Sequence, residues 1–214
     1  MIHRITGRAQ TPDPLLDRIT RYQTANQDRY WYANNNPYKY IDPDGGEVVF
    51  AFQNGASLRD GLSTMRYLGQ SKTFRAELRQ LQNSRESYKI SFDRNSNAIM
   101  RYDDRSRTIT IDPTAGLRID SSGEIQSPAL GGAHEVSHAA EHDRVGTEQF
   151  KAALDAPLKE VGDRGYSFGT PPEESRATKV EGKIAHELGE PSRKNYADER
   201  GTVRTCGPTS RSEC

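Results

Sequence analysis

Residues 131–143 read GGAHEVSHAAEHD, in which His134, Glu135 and His138 stand in the order His-Glu-x-x-His. With five histidines among 214 residues, chance supplies on the order of 0.01 such strings. On a helix, residues four apart lie one above the other, so the two imidazoles share a face and can converge on one metal ion. Glu135 lies about 100° round the helix from His134, close to such an ion but outside its ligands. From there a carboxylate can take a proton from metal-bound water, whose pKa the ion lowers towards ~7, and return it to a leaving amine. The competing reading is a surface helix whose histidines merely fall four apart.

The flanking residues favour a helix. Ser127 precedes Pro128, a cap residue ahead of proline at the first helical position. Ala129, Ala133, Val136 and Ala140 form a small apolar face that would sit close against a sheet, with both histidines projecting from another side. His142 would stand about 12 Å from His134 along a straight helix. Ligand nitrogens on one zinc lie within roughly 4 Å of each other. His142 is therefore expected beside the site or at the surface, and a third ligand must come from elsewhere.

Residues 170–196, TPPEESRATKVEGKIAHELGEPSRKNY, are the best donor. Thr170 reads as an N-cap with Pro171 at the first helical position and Glu173 completing a capping box. Gly189 reads as the stop. Ala177, Val180, Ile184 and Leu188 mark a buried face. Glu174 and Glu181 border that face, where an unpaired carboxylate is costly. Glu174, Glu181 and Glu173 are the candidates for third ligand. Each has an alternative as a solvated glutamate paired with Arg176, Lys179 or Lys183. The string HELGE at 186–190 opens like the motif but carries Glu190 where histidine is required, so His186 reads as a cation near a helix C-terminus. Just beyond, Arg193 or Tyr196 could donate a hydrogen bond to a developing oxyanion, against ordinary surface roles for both.

Around these two helices the chain is polar. Hydrophobic residues make up 33% and the mean hydropathy is −0.90, so the core is expected to be modest. The 30 basic and 30 acidic residues cancel, which gives no electrostatic reason to expect nucleic acid as a partner. No apolar run approaches the roughly 20 residues of a membrane span, and no apolar signal region is seen near Met1. Residues 47–52, 88–92, 98–102 and 108–112 read as strands. Residues 58–81 read as two helices broken near Gly69, and the three later strands as a meander. Cys206 and Cys214 either close a small disulfide loop or remain free thiols on a mobile end.

The first 45 residues differ, being dense in Tyr, Asn, Pro, Asp and Gly. Within them, YANNNPYKYIDPDG (32–45) resembles the signature that closes the core of RHS-repeat (YD-repeat) proteins. The resemblance implies that 1–45 is the tail or linker of an RHS β-cage, and that a variable toxic domain follows it.

A second resemblance covers the motif region. AHEVSHA (133–139), EESRATKVEGKI (173–184) and LGEPSRKNY (188–196) together are similar to the NleD-like family of secreted effector metallopeptidases, with Gly182 where that family often has Asn. Glu174 followed by Ala177 also resembles the E-x-x-A helix that supplies the glutamate ligand in gluzincin-type metallopeptidases, which makes Glu174 the first choice for third ligand, with Glu181 next and Glu173 third. The resemblance implies a zincin-like α+β domain over 46–200, with a small antiparallel sheet packed on the HExxH helix and a polar tail over 201–214. It implies Zn²⁺ on His134, His138 and a glutamate, Glu135 activating zinc-bound water, and Tyr196 assisting. The expected activity is that of an endopeptidase toxin acting on target-cell proteins after delivery by a specialised secretion route, held in check in the producer by an immunity protein. Two other classes stay open. One is a non-catalytic zinc or partner-binding module, and the other is a metal-dependent nuclease toxin.

Overall fold

In a computed structural model of the chain, residues 48–94, 100–156, 160–161 and 167–214 are described. The RHS-like stretch and the rest of 1–45 lie outside them, as do Ala98 and Ile99 of one expected strand. Strand β1 (Val48–Gln53) is followed by helices α1 (Leu58–Leu68) and α2 (Lys72–Gln82). Strands β2 (Tyr88–Asp93), β3 (Arg101–Asp103), β4 (Thr108–Ile111), β5 (Ala115–Arg118) and β6 (Ile125–Gln126) come next. Helices α3 (Pro128–Val145) and α4 (Thr147–Leu154), strands β7 (Glu160–Val161) and β8 (Ser167–Phe168), helix α5 (Pro172–Leu188) and strand β9 (Gly201–Arg204) complete the order. The expected α+β class holds. Among the described residues no helix is long and apolar enough to cross a membrane.

The main sheet corrects the expected antiparallel meander. Its order is β1-β2-β4-β3, with β1–β2 and β2–β4 parallel and only β3–β4 antiparallel. The cause lies in the connections and in burial. The α1–α2 pair carries the chain back over the sheet, as a parallel pairing requires. Tyr88, Ile90, Ser91 and Phe92 are all buried, the run of a strand covered on both faces. Period-2 patterning identifies strands but not their partners.

Helix α3 packs on α1, α2, α4, α5, β3, β4 and β5. Ser127 caps it, its Oγ accepting from the Leu130 amide, with Pro128 in the first turn. Instead of one apolar face and one open face, it is buried nearly all round, including His134, Ser137, His138 and His142. Small residues permit this close approach. A Cβ on Gly131 would lie 2.7 Å from Met100 Sδ, and one on Gly132 2.7 Å from Ile111 Cδ1.

Helix α5 holds the ends of two other helices. Glu187 accepts from Ser71 Oγ (2.5 Å) and the Thr73 amide (3.0 Å) at the start of α2. Glu190 accepts from the Ser127 amide (2.8 Å) and Ser127 Oγ (2.6 Å) at the start of α3. Acids at helix N-termini complement both the unpaired amides and the dipole. The HELGE string thus serves as helix-end anchoring, while His186 is exposed in the last turn.

The C-terminal residues belong to the fold. Strand β9 pairs antiparallel with β5, and Cys206 and Cys214 form a disulfide bond that closes the loop between them. Within that loop the Pro208 carbonyl accepts from the Ala129 amide (2.8 Å), and Arg211 donates to the Gly189 carbonyl (2.7 Å). The loop therefore braces the first turn of α3 and the end of α5. Reducing this bond should lower stability by about 2–3 kcal/mol, the entropy of a loop of this size. Thermal melting with and without reductant measures it, and coincident curves would contradict the bracing role.

Candidate metal centre

Three donor atoms meet at the face between α3 and α5. His134 Nε2 and His138 Nε2 are 3.1 Å apart. Glu174 Oε2 is 3.2 Å from the first and 3.3 Å from the second. An ion bound tetrahedrally with bonds of about 2.0–2.1 Å separates its ligands by about 3.3 Å, so the triangle fits such an ion. Two imidazoles and a carboxylate suit zinc and related divalent metals, and this group could hold a metal ion.

Glu181 and Glu173, the other two expected ligands, sit behind the imidazoles. His134 Nδ1 is 2.9 Å from Glu181 Oε2, and His138 Nδ1 is 3.0 Å from Glu173 Oε1. With Nδ1–H donating to a carboxylate, each ring turns its Nε2 lone pair into the triangle. Each carboxylate is in turn gripped by an arginine. Arg176 donates to Glu173 through Nε (2.8 Å) and Nη2 (2.6 Å). Arg193 donates to Glu181 through Nη2 (2.6 Å) and Nε (3.1 Å), and Gln126 Nε2 adds a bond of 3.0 Å.

The expected capping box at Thr170 and Glu173 is corrected here. Helix α5 starts at Pro172, Pro171 is its N-cap, and no side chain caps it. Glu173 is buried and already committed to His138 and Arg176, a charged partner that holds it more strongly than a backbone amide would.

The charges follow from this wiring. Burial disfavours the imidazolium of His134, but its hydrogen bonds to Glu174 and Glu181 outweigh that and raise its pKa to about 9. His138 is raised against the same burial by Glu173 and Glu174. Burial works to raise Glu174, yet the two imidazoles hold it well below the usual carboxylate range. Protons thus balance the acids of the metal-free centre.

Glu135 stands outside the triangle and lines a cavity of about 500 Å³ together with His134, His138 and Glu174. Burial raises its pKa, opposed by the two histidines, and the Tyr102 backbone amide hydrogen-bonds its carboxylate. Tyr196 lines the same cavity, its ring 6.2 Å from that of His134. Its phenol is raised by burial and by Glu174 and Glu199. Met100, Tyr102, Phe150 and Leu154 form an apolar wall.

His142 is not one of the three donors and is not at the surface, which leaves the expected place beside the site. It is buried, 2.6 Å from the Tyr102 hydroxyl and 2.9 Å from Thr147 Oγ1, and stacked on Phe150. Arg193 is buried and committed to Glu181 and Glu199, so it offers no free donor to an oxyanion. The roles of Tyr102 and Gln126 had no signal in the sequence, since both arrive from strands whose placement is tertiary.

Comparison with family models, curated proteins and solved structures finds no match to this chain.

Proposed function

We propose that the domain is a zinc-dependent endopeptidase. The observation that carries this reading is the His134–His138–Glu174 triangle opening on a cavity whose wall presents Glu135. Zinc held there would supply Lewis acidity, polarising a peptide carbonyl and making water acidic enough to deprotonate near neutral pH. Glu135 takes the water proton as the C–O bond forms, and gives it to the amine nitrogen as the C–N bond breaks. Tyr196 donates its phenol hydrogen to the developing oxyanion. Its raised pKa keeps that hydrogen in place at neutral pH.

Among the described residues three donors meet, which would leave a fourth position open on a tetrahedral ion, whereas structural zinc sites are usually closed by four. That favours the enzyme over a purely structural metal. The cavity is lined by Asp104, Glu135, Glu174, Glu181 and Glu199 against Arg101 and Arg193, a balance that opposes a nucleic-acid substrate. We extend the reading to a toxin delivered from an RHS cage and neutralised by an immunity protein in the producer. That part is supported by residues 32–45 alone. The test is elemental analysis of the purified protein, joined to mapping of new N-termini in intoxicated cells. Zinc near one equivalent and chelator-sensitive cleavage support the reading, and a protein that takes up no metal rejects it.

Zinc uptake should depend on pH. His134 must lose its proton to bind, and that proton leaves the metal-free protein only near pH 9. His138, whose pKa is also raised, must lose its proton too, so apparent affinity should rise with pH by up to ~10-fold per unit for each proton lost. The same upward shift from 6.5 stabilises the metal-free fold fully below pH 6.5, and the gain is lost as pH passes about 9. Chelator competition at several pH values reads the affinity, and a flat profile contradicts the ligand role of His134.

A further inference from the structure

Behind the metal triangle, Arg193 joins two parts of the site that are otherwise separate. Its side chain is 5% exposed and that of Glu181 is 2% exposed, so the pair is out of water. Arg193 grips both Glu181 oxygens, and Glu181 in turn bonds His134 Nδ1 at 2.9 Å. The remaining guanidinium nitrogen donates to the Tyr196 carbonyl (3.2 Å) and to Glu199 Oε2 (2.9 Å). The guanidinium carbon also lies 5.2 Å from the centroid of the Tyr196 ring.

We propose that Arg193 is a positioning residue that acts through Glu181. It locks the carboxylate that orients the His134 ring, and it docks the turn that brings Tyr196 to the cavity. A planar guanidinium suits this because it can present two parallel donors to one carboxylate while its third nitrogen serves another acceptor. An ammonium would offer a point charge without that fork. The inference rests on the reading of His134, His138 and Glu174 as a metal triangle.

Zinc affinity, read by competition with a chelator well below the melting temperature, tests it. The proteins are wild type, Arg193→Met, Glu181→Gln and the double variant, each checked for folding in the metal-free state by circular dichroism. Losing an outer hydrogen-bonding partner of a metal ligand weakens binding by about 10–100-fold, and that is expected for Arg193→Met. The double variant should bind no more weakly than the weaker single one, because both changes break one chain of contacts. Multiplying losses would show that Arg193 acts independently of Glu181 and would overturn the proposal. Unchanged affinity in Arg193→Met, with only a lower melting temperature, would also overturn it, since that marks a merely structural arginine. If Arg193→Met does not fold, Arg193→Lys replaces it. A several-fold loss is then expected, and no loss rejects the proposal. Wild-type protein that binds no zinc removes the metal site itself, a result distinct from wild-type uptake matched by the variants.

Discussion

Glu135→Ala should keep the fold and the zinc while peptide cleavage falls by about 10²–10⁴-fold, the range a positioned acid–base group contributes. The carboxylate is not one of the three donors that close on the ion site, so its loss leaves His134, His138 and Glu174 in place. Its surroundings suit proton transfer. Burial raises its pKa against the pull of the two histidines, and the Tyr102 amide fixes its direction. A general base works best when its pKa lies near the working pH, so that it accepts and returns a proton with little penalty. Zinc content, circular dichroism and cleavage should be measured on one preparation. Cleavage or killing retained by the variant would reject the proteolytic mechanism, and lost zinc would make Glu135 a ligand instead. Tyr196→Phe bears on the same step from the other side, where one missing donor costs about 10²–10³-fold in kcat.

What could be read from the sequence was mostly local. The His-Glu-x-x-His order fixes the relation of His134, Glu135 and His138 on any helix, and Ser127-Pro128 fixes where that helix starts. The alternation in 88–92 and 108–112 is equally visible, and both become strands. The sheet order was not legible, because parallel pairing of β1 with β2 depends on how α1 and α2 carry the chain across the sheet, and β4 reaches β2 past β3. Nor was the division of labour among three glutamates. Glu173 and Glu174 are neighbours, separated by about 100° round the helix. Which of them faces the imidazole Nε2 atoms depends on the rotation at which α5 packs on α3. The sequence did hint that Glu181 was committed, since a carboxylate bordering an apolar face needs a partner. It gave no sign that the partners would be His134 and Arg193.

That division of labour leads to the second large effect. Glu174→Ala should weaken zinc binding by about 10²–10³-fold, since a four-ligand structural site with about 10–16 kcal/mol of zinc-binding energy draws about 2.5–4 kcal/mol from each ligand. Glu173→Ala and Glu181→Ala remove only the acceptors behind the rings, and should cost about 10–100-fold. Glu173 and Glu181 are more deeply buried than Glu174, with side-chain exposures of 2% for each against 19%. A ranking by burial alone would therefore predict the opposite order for stability. Two readouts separate the effects. Melting of the metal-free protein should suffer most from Glu173→Ala and Glu181→Ala, because the first strands half-buried Arg176 with buried His138 and the second strands buried Arg193 with buried His134. Zinc affinity should suffer most from Glu174→Ala, because only its oxygen faces both Nε2 atoms at ligand-to-ligand distance. If Glu181→Ala proved the weaker zinc binder of the two, α5 would have to rotate on α3 when metal enters. The triangle seen without metal would then not be the one that holds it.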